Sequence, residues 1–269
     1  MSNISLSSDA IPHLSKSEQH AADLRSNKVL ETHSGLFATV RIWCSALSEW
    51  LGRYSVIAII FAITVSYLLL LRTVMVVTYA DFEKLSLWQG LSLFLVGLQF
   101  DVLVALCFVL PQLMHITLVS NSRVQGKTSR LLLDGAWIIA FMFLPFLCIA
   151  EFIFFDEFQS RLNYIAFEYI VYPTEVCCNI WQSYPLIELM ATVGLCGGSL
   201  WFLFRKRFHS KIATPMPWKR RYGFLAVCLT AIMVLWTATG AESRQVSRDR
   251  VANECTWNGL YSFVYYAWT

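Results

Sequence analysis

Arg72 and Asp101 each fall inside a run of apolar residues long enough to cross a bilayer. A charge at that depth is costly, so such groups pair with one another, bind carbonyls or mark a pathway. If the two runs are antiparallel neighbours and the second enters near Gly97, Arg72 and Asp101 reach similar depths near one membrane face; if it enters at Leu91, Asp101 lies nearer the midplane. The chemistry open to them is an intramembrane ion pair, alone or touching a lipid headgroup phosphate. Snorkelling of the Arg72 stem is the alternative. Glu151, Glu188, Asp156 and Glu157 gather towards the same face. Their spacing matches no metal motif, and a solvated acidic rim accounts for them. His115 stands alone in the second run as an interfacial hydrogen-bonder. The eight cysteines include no C-x-x-C, and adjacent Cys177 and Cys178 suit neither a relaxed disulfide nor a zinc site. Cys255 could pair with either of them. No G-x-S-x-G, P-loop, H-E-x-x-H or glycine-rich dinucleotide turn occurs.

The elements that must position these groups are membrane spans. Of 269 residues, 57% are hydrophobic and 14% charged, with mean hydropathy +0.53. An average soluble domain is roughly 25% charged. The balance therefore predicts an all-α integral membrane protein and gives no reason to expect nucleic acid as a partner. Five runs can cross: about 54–77, within 91–119, 131–155, 186–204 and 222–240. Pro111 predicts a kink in the second. Gly194-x-x-x-Gly198, with Gly197 between, predicts close helix approach in the fourth. Residues 1–33 read as a polar, disordered cytoplasmic tail. Over 34–53, Leu36, Val40, Trp43 and Leu47 recur at steps of three and four, which predicts an amphipathic interfacial helix.

Loop charges set the orientation. The stretches 1–53, 120–130 and 205–221 hold fifteen Lys and Arg, against five in 78–90, 156–185 and 241–269. The positive-inside rule then puts the N-terminus in the cytoplasm and the C-terminus outside. The outer loop 156–185 carries Phe155, Phe158, Leu162, Ile165, Tyr169 and Tyr172 on one predicted helical face ending at Pro173. Thr174 is a candidate N-cap for a second short helix, with Glu175 in its first turn. Asp156, Glu157, Arg161, Asn163 and Glu175 are the candidate residues of an outer-interface platform at headgroup level. The stripe serves as an aromatic belt or as a docking surface, and both readings are open.

Three stretches carry a resemblance. "FFDEFQSRLNYIAFEYIVYPTEVCCNIWQSYP" (154–185) resembles the outer loop of bacterial lipoteichoic-acid-synthase-like phosphoglycerol transferases, sulfatase-like proteins of the alkaline phosphatase superfamily. Its motif residues are Phe155 to Phe158, Arg161, Asn163 to Ala166, Tyr169, Tyr172, Thr174 to Val176, Asn179, Ile180 and Ser183 to Pro185. "GLQFDVLVA" (97–105) is similar to that family's second-span segment. "RVANECTWNGLYSF" (250–263) is similar to the segment after its last span, through Asn253, Glu254, Asn258, Gly259, Leu260, Tyr261 and Phe263.

The resemblance implies a five-span anchor in a bacterial inner membrane, followed by a large extracytoplasmic α/β domain. That domain would hold a Thr or Ser nucleophile and a divalent metal, commonly manganese. It would transfer phosphoglycerol or phosphoethanolamine from a lipid to an envelope glycan or lipid. No nucleophile or metal ligand of that kind occurs in this chain. The expectation is thus a truncated or split membrane anchor, inactive alone and without its own cofactor. Residues 241–269 would be a linker to the absent catalytic domain. The expected partners are membrane lipids and a separately encoded or downstream sulfatase-like domain. The alternative is a free-standing membrane interaction protein that recruits an envelope partner through its outer loop.

Overall fold

Apolar stretches in hydrocarbon must satisfy every backbone donor and acceptor internally, which leaves the helix as the local solution. The computed structural model describes residues 43, 45–81, 83–171, 174, 178 and 181–268. Among these the regular structure is helical throughout. The helices are α1 (Ser55–Tyr79), α2 (Leu87–Leu118), α3 (Lys127–Phe158), α4 (Tyr164–Val171), α5 (Leu186–Ile212), α6 (Trp218–Ala238), α7 (Arg250–Thr256) and α8 (Gly259–Trp268). Five of them, α1, α2, α3, α5 and α6, are long and apolar enough to cross a membrane. The chain divides after Leu51 into two units. In the first, residues 45–51 are helical, with Leu47 and Trp50 exposed. The tail 1–33 and most of the amphipathic helix expected over 34–53 lie outside the described residues.

In the second unit the spans neighbour one another in the order α5, α3, α1, α2, α6. The second span is longer than its apolar run. Ser86 forms a capping box, its hydroxyl accepting from Gln89 N at 3.3 Å and its own N–H donating to Gln89 Oε1 at 2.9 Å. From there α2 runs 32 residues with Pro111 inside it. That is about 48 Å at 1.5 Å per residue, against a hydrocarbon core of about 30 Å.

Close approach of α5 to α3 depends on Gly197. A methyl there would sit 2.8 Å from the Phe141 carbonyl oxygen, while Gly198 has open space around it. The facing pair is therefore Gly194 and Gly197, three apart, and not the four-apart pair the sequence suggests.

The single helical face expected from Phe155 to Tyr172 is interrupted. Helix α3 ends at Phe158, and Gln159 adopts the left-handed conformation at φ 49°. The chain reverses through 160–163 before Asn163, whose side-chain oxygen accepts from Ile165 N at 2.9 Å, opens α4. Tyr172, Pro173 and Glu175 lie outside the described residues.

Residues 239–268 fold back over the end of the bundle where α1 finishes and α2 begins, which we term the cap end. Ala252 and Cys255 are fully buried there with Leu71, Met75, Val76, Leu93 and Phe155. The segment expected to be a linker is thus packed into the bundle.

Candidate functional site

The cap end is organised by two buried arginines. Arg72 lies near the end of α1 and is fully buried. It donates Nε to Asp101 Oδ2 at 3.1 Å and Nη2 to Asp101 Oδ1 at 2.7 Å, a bidentate pair between α1 and α2. Nη2 also donates to the Gly97 carbonyl at 3.0 Å. Nη1 turns to the C-terminus of α7 and donates to the carbonyls of Cys255, Thr256 (2.7 Å) and Trp257 (3.1 Å). A cation at a helix C-terminus complements the dipole and the unpaired carbonyls of the last turn. Every N–H direction of the guanidinium is taken, so Arg72 has no donor left for a lipid phosphate.

Asp101 reaches the cap as well. Its Oδ1 accepts from Asn258 Nδ2 at 2.8 Å. The Asn258 side-chain oxygen accepts from Leu260 N at 3.0 Å, so the same residue starts α8. Gly97 is the clearance for this assembly, because a Cβ there would fall on the Arg72 guanidinium. Gly97→Ala should therefore displace Arg72 and destabilise the protein by about 1–3 kcal/mol, the usual range for overpacking. Unfolding of the purified variant in detergent checks this, and an unchanged midpoint contradicts it.

The second arginine comes from the reversal after α3. Arg161 is 2% exposed and bonds through Nη1 to Glu151 Oε1, ten residues earlier on α3. Its Nη2 shares the Cys255 carbonyl with Arg72, at 3.4 Å. Its backbone N–H donates to Glu254 Oε2 at 3.2 Å, and Glu254 Oε1 accepts from Arg244 Nη1 at 3.2 Å. Arg244 in turn lies over the Trp257 ring, 4.3 Å from its centroid. Burial is the largest influence and pulls the Arg161 pKa down, but the charge and hydrogen bond of Glu151, with Cys255 and Asp101 nearby, together outweigh it and the net shift is upward. Glu151 is 1% exposed, which corrects the expectation of a solvated rim. Its carboxylate occupies the space where a Gly259 Cβ would stand.

The other expected platform residues divide. Asp156 accepts from Tyr79 OH at 2.7 Å and ties the ends of α1 and α3 together. Asn163 bonds Ser160 Oγ at 3.0 Å and caps α4. Glu157 is exposed. Arg161, expected at headgroup level, is buried because Glu151 draws the reversed chain back into the bundle. Sequence reasoning missed Glu151, Glu254, Asn258 and Gly259 as members of one network, although the last three stand in a stretch that carries the resemblance.

Cys255 and Cys178 are free thiols, so they form no disulfide; Cys177 lies outside the described residues. Burial pushes the Cys255 thiol up to about 11. It stays protonated and inert well above neutral pH. Maleimide labelling from pH 7 to 9 should modify exposed Cys178 and spare Cys255 until the protein unfolds. Labelling of Cys255 in the folded state would contradict the packing described here.

Among the described residues no group of His, Cys, Asp and Glu is placed to hold a metal ion. Asp101, Glu151 and Glu254 are each committed to an arginine. What the arrangement does is mechanical: it fixes α7 and α8 onto α1, α2 and α3. No family model matches the chain, and no solved structure matches it.

Proposed function

We propose that this chain is the membrane region of a sulfatase-like phosphoglycerol or phosphoethanolamine transferase in a bacterial inner membrane. Its N-terminus lies in the cytoplasm and its C-terminus outside. One observation carries the reading. The three stretches on which the resemblance rests are far apart in sequence, yet residues of all three meet in one buried network. Gly97 and Asp101 come from 97–105, Arg161 from 154–185, and Glu254, Asn258 and Gly259 from 250–263. Unrelated local similarities give no reason for such convergence, whereas one shared assembly does. The fifteen-to-five distribution of loop cations supports the orientation.

The nucleophile and the divalent metal of such an enzyme belong to a catalytic domain that residues 1–269 do not contain. Asp101, Glu151 and Glu254 do not fit the metal, since arginines already hold them, and no step of the transfer is assigned to them. This chain positions that domain over the lipid surface. An interaction role without transfer is favoured by the exposed aromatics of the same end, Tyr164, Phe167, Trp181 and Trp268. Deletion of the coding sequence in its own cells, with labelled glycerol followed from phosphatidylglycerol into envelope material, separates the two. Lost transfer that the intact chain restores is expected. Undiminished transfer in the deletion strain rules the proposal out and leaves the interaction role.

A further inference from the structure

Arg53 and Arg221 differ from the two buried arginines of the cap. They lie at the opposite end of the bundle, in the turn Gly52–Tyr54 and the first turn of α6. Arg53 is fully buried and Arg221 is 8% exposed. Arg72 and Arg161 each hold a carboxylate. Among the described residues, neither Arg53 nor Arg221 has one within ion-pair distance.

Their partners are all neutral. Arg53 donates to the carbonyls of Ile116 at 3.1 Å and Thr214 at 3.2 and 3.3 Å, and to the side-chain oxygen of Asn121. Arg221 donates through Nη2 to the carbonyls of Thr117 and Val119, the latter at 2.6 Å. Both guanidiniums therefore crowd the C-terminus of α2, and Tyr54 OH bridges the same place through Thr117 Oγ1 at 2.9 Å. Arg221 Nε is buried with no hydrogen-bond partner.

The charges do not balance. The C-termini of α2 and α5, reached through Ile116 and Thr214, supply about half a negative charge each, while two guanidiniums bring two positive ones. About one positive charge remains unmatched, and buried charge persists where it is paired. Asp134 of α3, a described carboxylate on this side of the second unit, is engaged by His209 Nε2 at 2.9 Å and Trp201 Nε1 at 3.3 Å. Exposed Arg123 and Lys219 stand in the adjoining loop and turn and raise the positive potential.

We propose that Arg53 and Arg221 form an oxyanion site for a phosphate group at the membrane–water boundary. The depth is right, because α2 outruns the hydrocarbon core and the site stands on its last turn. The planar guanidinium fork matches phosphate geometry. The phosphate comes from a phospholipid headgroup or from solution, and the chemistry at the arginines is the same.

The test uses the full chain, delipidated in a neutral detergent. Its thermal midpoint is read with phosphatidylglycerol, with phosphate-free diacylglycerol and with inorganic phosphate. Phosphatidylglycerol should raise the midpoint by several degrees and diacylglycerol should not. Native mass spectrometry should show one tightly retained phosphatidylglycerol per chain. Arg221→Gln should weaken that retention at least tenfold, while exposed Arg207→Gln leaves it unchanged. If Arg221→Gln does not fold, Arg221→Lys keeps the charge but loses the fork and should weaken retention severalfold. A shift with inorganic phosphate that needs Arg221 also supports the site and names the free anion as the source. Intact protein indifferent to both phosphate probes overturns the proposal, as does a shift that survives both Arg221 variants.

Discussion

Arg72→Leu should cost about 3–5 kcal/mol of stability, the range for stripping one partner from a buried ion pair. The variant leaves the Asp101 carboxylate at 1% exposure with only Asn258 to hold it. It also frees the carbonyls of Cys255, Thr256 and Trp257 at the end of α7. Residues 250–268 should then detach before the spans come apart. Limited proteolysis and hydrogen exchange of that segment report the detachment, and chemical unfolding in detergent reports the loss. The double variant Arg72→Leu/Asp101→Leu should be milder than the sum of its singles, because no lone charge remains. A loss under about 1 kcal/mol for Arg72→Leu would show that the pair is not what holds the cap.

Glu151→Gln should be comparably severe, again about 3–5 kcal/mol. It leaves Arg161 charged and buried with only neutral acceptors and the more distant carboxylates around it. Beyond Gln159, which bonds the Phe155 and Asp156 carbonyls at the end of α3, this ion pair is what ties the reversal to α3, so exchange protection should fall over 160–171 and over 250–258. Because Arg72 and Arg161 meet on the Cys255 carbonyl, combining Glu151→Gln with Arg72→Leu should give a non-additive loss. Gly259→Ala perturbs the same carboxylate without removing it, since its methyl must displace the Glu151 side chain. Retained protection in both Glu151→Gln and Gly259→Ala would refute this account of the reversal.

The five spans are legible in the sequence because each is an apolar run that only a helix can satisfy in lipid. The Arg72–Asp101 pair is legible too, since two opposite charges inside consecutive antiparallel spans are expected to pair, although only the start of α2 at Leu87 fixes the depth of Asp101. The Glu151–Arg161 pair is not. Its spacing of ten would separate the groups along a continuous helix, and only the left-handed Gln159 brings them together. No glycine or proline marks that break, so pattern reading carried the helix through it. Arg53 and Arg221 were hidden for another reason: counted as loop cations they serve topology, and nothing in composition distinguishes an exposed basic residue from one wrapped in carbonyls.

The Arg72 guanidinium also imposes an order on biogenesis. Asp101 follows it by 29 residues, but the α7 carbonyls follow by 183 to 185. At about 5–20 residues per second the ribosome needs roughly 10–40 s to supply the second set. Through that interval the nascent α1–α2 hairpin must be sheltered by translocon, lipid or chaperone, until α7 arrives and its carbonyls take the open side of the guanidinium.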